Sequence, residues 1–325
     1  MRGEILNSKQ VVSVSDNYSQ LIHNLCEISN AYFYNGEFDN AFQVLEHGEN
    51  LSELRDVPAK ERAKLWILYG KIEEVHSALT DYNYEFAIAL LHRAERAARD
   101  SSDQLLLARA FDEIGQAYLH QTEHNGKGSF DHSKLYFEKG YALRDKSGDI
   151  RGRCMSMIHL AQAAECMDEF DIALEIFQSV KEIAEKNDFP LELSFAIRHL
   201  AKAFVREDKP DDAFPLFKRS LEIREEIGLK PFLPFSHISM GQMYDYHDNR
   251  DQAKDHYQTA FNIAEEMKAT SASIEALLSL GDSYVSFQER QEAITTYTKA
   301  LKYAKEAKLA QKVDLCKQRL QNIQN

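Results

Sequence analysis

The C-terminal half of the sequence repeats itself every 40 residues, and this repeat limits the folds open to the chain. Each copy contains a large residue followed by a small one, then another small residue twelve positions later and a bulky aromatic residue four positions after that. Repeats of this length are typical of solenoids, in which each unit packs only on its neighbours. The four copies are marked by Leu160-Ala161, Ala173 and Phe177; by Leu200-Ala201, Ala213 and Phe217; by Met240-Gly241, Ala253 and Tyr257; and by Leu280-Gly281, Ala293 and Tyr297.

Three weaker copies precede these four, and insertions break the regular spacing between them. The second of the three also contains the only tryptophan of the chain, but Glu73 stands where the pattern expects a tyrosine. The weaker copies are marked by Ile28-Ser29, Ala41 and Leu45; by Trp66, Gly70, Ala87 and Leu91; and by Ile114-Gly115, Ser133 and Phe137.

The seven copies together resemble the tetratricopeptide repeat, whose signature combines Leu-Gly, a Tyr and an Ala-x-x-x-Phe step. The resemblance covers roughly residues 18–305. It implies that each copy forms two antiparallel helices, A and B, in which small residues allow close approach and the aromatic residue fills the space between units. We therefore predict an all-α protein, a right-handed α-α superhelix of about seven helix pairs plus a C-terminal capping helix.

The predicted organisation has three parts. Residues 1–17 form an N-terminal extension that could be flexible, residues 18–307 the seven helix pairs, and residues 308–325 the capping helix. A longer connection is expected from His120 to Asp131, because insertions in repeat arrays usually form loops on one face.

Composition restricts the partners and the environment of the chain. The 39 Lys and Arg against 52 Asp and Glu give a formal net charge of −13, which repels a nucleic-acid backbone or an anionic membrane. The four widely spaced cysteines form no Cys-x-x-Cys pair, so we interpret them as reduced thiols of a cytoplasmic protein. The sequence has neither a transmembrane-length apolar run nor the apolar segment of a signal peptide at its start.

The segment His120-Gln-Thr-Glu-His124 matches a zinc-peptidase pattern, His-x-x-Glu-His, in which Glu123 would act as the base. The segment ends a predicted helix A and runs into a glycine-containing stretch, and no further glutamate completes the site. We interpret it as an exposed polar loop, and a passive metal site that includes His132 stays open. We expect no catalytic residue, no metal and no cofactor.

The inner, concave surface is the better candidate for function. The resemblance implies that helix A lines this surface at its second, fifth, ninth and twelfth positions. The groove residues assigned in this way, with two flanking histidines, are Arg109, Asp112, Gln116, Met155, Ile158, His159, Gln162, Phe195, Arg198, His199, Lys202, Phe235, Ile238, Gln242 and Asp245.

Arg198 and Lys202 lie one helical turn apart and form a basic spot in an acidic protein. Such a spot can select an acidic or C-terminal carboxylate group of a bound protein or peptide. A solvated surface with balanced charges is the simpler alternative.

The sequence thus favours a non-catalytic scaffold that binds another protein or a peptide in its groove. The resemblance also covers bacterial signalling-peptide receptors, which act as switches and form the alternative function. A metal-dependent enzyme is less favoured, and self-association stays open.

Overall fold

The computed structural model describes residues 13–324 and shows fifteen α-helices there, with no strand in this part of the chain. A short 3-10 helix, η1 (Lys230–Phe232), precedes α11. The α-helices are α1 (Val14–Tyr34), α2 (Phe38–Ser52), α3 (Ala59–Leu79), α4 (Glu85–Asp100), α5 (Gln104–Asn125), α6 (Phe130–Ser147), α7 (Ile150–Cys166), α8 (Phe170–Asn187), α9 (Pro190–Arg206), α10 (Pro210–Glu226), α11 (Leu233–Tyr246), α12 (Arg250–Glu266), α13 (Thr270–Ser286), α14 (Arg290–Glu306) and α15 (Ala310–Gln324).

The helices pack in sequence as seven antiparallel pairs, from α1 with α2 to α13 with α14, and α15 packs on the last pair. This arrangement confirms the predicted all-α superhelix with a capping helix. The first helix begins at Val14, four residues before the first pair was expected to start. The rest of the expected extension, residues 1–12, lies outside the described residues.

Small residues of helix A receive the aromatic residue of helix B, as the pattern predicted. A Cβ atom added to Gly241 in α11 would come within 2.6 Å of the Tyr257 ring in α12. Tyr257 is 1% exposed, and the equivalent Tyr297 of the next pair is also 1% exposed. Close backbone approach at glycine therefore makes room for the largest core side chains.

In the regular part of the array, a helix ends every 20 residues, which is half of the 40-residue repeat. From Gly148 to Lys308, a residue with positive φ follows each helix at intervals of 20 positions. Most of these residues are not glycine, including Asp168, Asp208 and Gln288, with φ between 58° and 61°. The left-handed residue ends each helix and starts the short turn to the next one.

The second and the third repeats carry insertions, between Gly70 and Ala87 and between His120 and Asp131, and both insertions lengthen a helix A rather than a loop. Helix α3 continues to Leu79, nine residues beyond Gly70, whereas α11 ends five residues beyond Gly241. Helix α5 likewise continues to Asn125 and ends at Gly126 with φ 63°. The prediction of a long connection from His120 to Asp131 is therefore wrong, because an additional turn at the end of α5 accounts for most of the inserted residues.

The superhelix completes a turn and closes on itself. The turn after α1 lies against the end of α12, where a Cβ atom added to Gly36 would come within 2.6 Å of Met267 Sδ. Lys268 forms an ion pair with Asp39 at 2.6 Å, and the Tyr82 hydroxyl contacts that of Ser271. The first two pairs thus pack edge to edge on the sixth and seventh, although more than 180 residues separate them in sequence.

None of the helices between residues 13 and 324 combines the length and the apolar character that a membrane crossing requires.

Candidate functional site

The helices A form the inner wall of the superhelix. Helices A of successive pairs pack on one another, as α3 does on α5 and α11 on α13. This packing is weakest between α9 and α11, where η1 intervenes. The rings of Phe195 and Phe232 lie there, with centroids 5.3 Å apart.

The predicted groove residues differ widely in exposure. Six of them are buried within the helix packing, and the others keep part of their side chains exposed. Arg109, Lys202 and Gln242 are exposed; Met155, Gln162, Phe195, Arg198, Phe235 and Asp245 are half-buried; Asp112, Gln116, Ile158, His159, His199 and Ile238 are buried.

Glu165 and His199 form the centre of a polar cluster on α7 and α9. The His199 Nδ1 lies 2.7 Å from a Glu165 oxygen, and its Nε2 lies 3.4 Å from Gln162 Nε2. The ring stacks on Phe177 at 4.5 Å. Burial lowers the pKa of His199 to about 4, so the neutral ring donates from Nδ1 to the carboxylate and accepts from Gln162.

Glu165 stays ionised in this cluster. Burial works against its charge, but the His199 hydrogen bond and the positive charges of Lys202 and Arg206 bring its pKa down to about 2. Arg206 forms an ion pair with it at 3.3 Å. Glu165 is thus already engaged by the protein itself.

Basic groups outnumber acidic groups around this cluster. No carboxylate oxygen of residues 13–324 lies within 4 Å of Arg198 or Lys202, although Glu165 and Glu123 act on Lys202 from further away. The Arg198 Nε is buried and has no hydrogen-bond acceptor. The inner wall therefore carries positive charge here that the surrounding side chains do not pair.

The flanking histidines do not add to this charge at neutral pH. Burial, followed by the charge of Arg144, lowers the pKa of His159 to about 3. Its ring packs on Phe137 at 5.1 Å. Like His199, it takes part in the wall as a neutral ring.

Asp112 serves the packing of the third pair. It forms an ion pair with Arg144 of α6, and both side chains are buried. Burial raises the pKa of Asp112, whereas the adjacent guanidinium and the Ser156 hydroxyl oppose that rise. This carboxylate is therefore committed to a partner within the chain.

The expected exposed loop at His120–His124 is wrong, because this segment forms the last turns of α5. His120 bonds Glu74 of α3 through Nδ1 and Gln116 through Nε2. His124 bonds the Tyr84 hydroxyl at 2.5 Å and stacks on Tyr82 at 4.3 Å. Helices α3 and α5 thus supply the partners of His120, and the connection between α3 and α4 supplies those of His124.

The rings of this region pack on each other. Burial lowers the pKa of His124 to about 3, and His132 lies between Tyr118 and Tyr136. Among residues 13–324, no group of three or more His, Cys, Asp or Glu side chains is arranged to hold a metal ion.

Sequence reasoning missed Arg224, which is 1% exposed and is the largest fully buried side chain among residues 13–324. Its guanidinium lies over the rings of Phe195 and Phe232, at 5.0 and 5.7 Å. Burial and the charge of Arg198 hold the pKa of Arg224 well below its usual value. The repeat itself could have identified Arg224, because Arg224 lies 80 residues, or two repeats, after Arg144.

Two family models described as tetratricopeptide repeat match residues 192–266 and 276–309. These two stretches are tetratricopeptide repeats, in agreement with the sequence resemblance, and the helix pairs before them continue the same fold. No curated protein matches the sequence significantly.

Several solved structures share the fold over nearly the whole chain. The apo form of RapI aligns with a TM-score of 0.59 at 15% identity, covering 90% of this chain and 99% of that one. NprR in complex with its cognate peptide NprX gives 0.58 at 13% identity, covering 93% and 82%. A Rap protein complexed with competence and sporulation factor gives 0.56 at 14% identity, covering 94% and 98%. At these identities the likeness shows the fold alone.

Proposed function

We propose that this chain is a non-catalytic scaffold that binds a peptide or an extended segment of another protein along the inner wall of α5, α7, α9 and α11. The observation that carries the proposal is the unpaired positive charge of Arg198 and Lys202 in a chain of net charge −13. Half-buried apolar side chains lie on the same wall, including Met155, Phe195 and Phe235. Together they offer the combination of apolar anchors and a polar selector that peptide grooves use.

The charge pattern favours a guest with an acidic group. The guanidinium of Arg198 is planar and can donate two parallel hydrogen bonds to a carboxylate. Lys202 adds a second, more mobile positive charge one helical turn away. Glu165 lies between Lys202 and Arg206, but His199 and Arg206 already engage it. A guest carboxylate would therefore be the missing partner for Arg198 and Lys202.

Affinity capture with a charge-reversed groove tests this function. The Arg198→Glu plus Lys202→Glu protein should lose its partner from a native cell lysate, because a guest carboxylate would meet two carboxylates instead of two cations. The matched control is Lys218→Glu plus Arg219→Glu, which makes the same change of charge on the exposed outer side of α10 in the same pair. Equal recovery by the groove variant and the control would reject the proposal.

A signalling-peptide receptor that acts as a switch is the second candidate. The contact between the first two and the last two pairs supports it, because a guest in the inner wall could change how tightly the turn closes. The NprR and Rap structures named above contain a peptide and a factor, respectively, on a similar fold.

X-ray scattering separates the two candidates. Once capture has identified a partner segment, a synthetic peptide of that segment is added to the pure protein. A switch should change its radius of gyration at saturation, whereas a rigid scaffold should bind with the radius unchanged.

A further inference from the structure

The third and the fifth helix pairs use the same two positions for charged side chains. Asp112 in α5 and Arg198 in α9 each lie three residues before the small residue that marks their helix A. Arg144 in α6 and Arg224 in α10 each lie eleven residues after the small residue that marks helix B. The structure thus places Arg198 and Arg224 as the counterparts of Asp112 and Arg144.

In the third pair, an aspartate and an arginine occupy these positions and form an ion pair. The guanidinium of Arg144 pairs with the Asp112 carboxylate, and its Nη1 lies 3.1 Å from the hydroxyl of Ser156. That hydroxyl in turn donates to the carboxylate of Asp112 at 3.0 Å. One carboxylate therefore accepts from both an arginine and a serine.

In the fifth pair, the donors are present and the carboxylate is missing. Arg224 Nη1 donates to the hydroxyl of Ser236, the counterpart of Ser156, at 2.9 Å, and that hydroxyl donates to the Phe232 carbonyl oxygen at 3.2 Å. The second contact of Arg224 is with the hydroxyl of Ser194 at 3.5 Å. Arg198 occupies the position of the carboxylate, and its buried Nε has no acceptor.

Arg224 is buried, Arg198 is half-buried, and the charge of Arg198 acts on Arg224, so the two cations are costly without an anion. A buried charge needs a partner of opposite sign, and arginine keeps its charge in proteins. The rings of Phe195 and Phe232 attract Arg224 through their faces but supply no negative charge. Glu165 acts on Arg198 from beyond 4 Å, and no carboxylate of residues 13–324 pairs with Arg198 or Arg224, so a guest carboxylate would supply the missing counter-charge.

We propose that Arg198 and Arg224 form a binding site for a carboxylate of the guest peptide, an inference that rests on the proposed function. The chemistry follows from the third pair, where Arg144, the counterpart of Arg224, holds the carboxylate of Asp112. The inner wall is least tightly packed between α9 and α11, next to this site, and half-buried Arg198 borders it. The guest carboxylate reaches Arg198 first and neutralises both cations.

Thermal unfolding with formate, the smallest carboxylate, tests the site directly. Formate at about 100 mM should raise the Tm by about 2 °C over chloride at the same ionic strength, since a ligand that binds only the folded chain stabilises it. Phosphate at the same ionic strength is the second arm. The carboxylate assignment would be overturned if the Tm in formate equalled the Tm in chloride, or if only phosphate raised the Tm.

The Arg198→Asp variant is the sharpest control, because it copies the pair Asp112–Arg144 into the fifth helix pair. Its internal carboxylate should pair with Arg224, so we expect a Tm above that of the unmodified protein and no formate shift. Arg198→Met tests the same loss of formate binding without a new ion pair. A formate shift that persists in both variants would overturn the site.

The formate experiment and the capture experiment can reject the two proposals independently. If formate has no effect but the charge-reversed groove still loses its partner in capture, the scaffold function stands and the two-arginine site is wrong. If formate binds and capture is unchanged, the site is a carboxylate site and the groove function is wrong.

Discussion

Asp112 of α5 and Arg144 of α6 form a buried ion pair that joins the two helices of the third pair. We expect Asp112→Asn to lower the free energy of unfolding by about 3 kcal/mol, because the variant leaves the arginine buried without its counter-charge. Urea unfolding followed by circular dichroism measures the loss.

The fourth pair shows how to separate this charge effect from packing. Ile158 and Ala184 stand there at the equivalent positions. The double variant Asp112→Ile plus Arg144→Ala should therefore recover most of the stability lost in Asp112→Asn, since it removes both charges together. Equal losses in the single and double variants would contradict the assigned role of the ion pair.

Glu73 makes the stability of the second pair depend on pH. Burial, followed by the charges of Asp81 and Glu46, raises its pKa from the ordinary 4.5 to about 7. Since the folded chain holds this proton more tightly, Glu73 weakens the fold progressively as pH rises from about 4.5 through 7. We expect Glu73→Gln to be about 2 kcal/mol more stable than the unmodified protein at pH 8, and equal to it at pH 4.

Urea midpoints measured across this pH range check the Glu73 prediction. Glu175→Gln, an exposed glutamate on α8, is the control and should follow the unmodified protein at every pH. A stability difference for Glu73→Gln that does not change between pH 4 and pH 8 would show that the effect is packing and not ionisation.

The helix pairs were predictable because their signals are local. Small residues such as Gly241 and aromatic residues such as Tyr257 recur at fixed spacing, and they contact each other within one pair. The closing of the superhelix was not predictable in this way. Asp39 and Lys268 meet only because small rotations add up over five pairs, and no single repeat encodes that sum.

The candidate site was only partly predictable. Position rules placed Arg198 and Lys202 on the inner wall, but they consider helix A alone and so omitted Arg224 of helix B. A comparison of Arg144, Ala184, Arg224 and Ala264 along the 40-residue period would have found it. The ion pair of Asp112 was not predictable, because its partner Arg144 is 32 positions away and an insertion lies between them.

Gln288 ends α13 with φ 61°, a left-handed conformation that costs a side chain about 1 kcal/mol and glycine almost nothing. Because Gln288 is exposed, we expect Gln288→Gly to raise the free energy of unfolding by up to about 1 kcal/mol. Gln291→Gly, in the first turn of α14, should have the opposite effect, because glycine weakens a helix. Thermal unfolding of both variants tests whether the left-handed residue limits stability.

Gly241 should be intolerant of any larger residue. The added Cβ atom would enter the buried ring of Tyr257, whose hydroxyl bonds Asp245 at 2.7 Å and so resists displacement. We expect Gly241→Val to lower the free energy of unfolding by about 3 kcal/mol. The double variant Gly241→Val plus Tyr257→Leu frees space and should recover part of the loss; no recovery would show that the ring is not the obstacle.

Gly36 allows the first helix pair to approach the sixth. Its φ of 73° favours glycine, and a side chain there would collide with Met267, which is 5% exposed. Gly148 has nearly the same φ, 71°, but nothing lies within 4 Å of an added Cβ atom. Leucine at either position should cost about 1–2 kcal/mol of backbone strain, but only Gly36→Leu should also separate the ends of the superhelix. Small-angle scattering should show a larger radius of gyration for Gly36→Leu alone, and equal radii for the two variants would mean that this contact does not hold the turn closed.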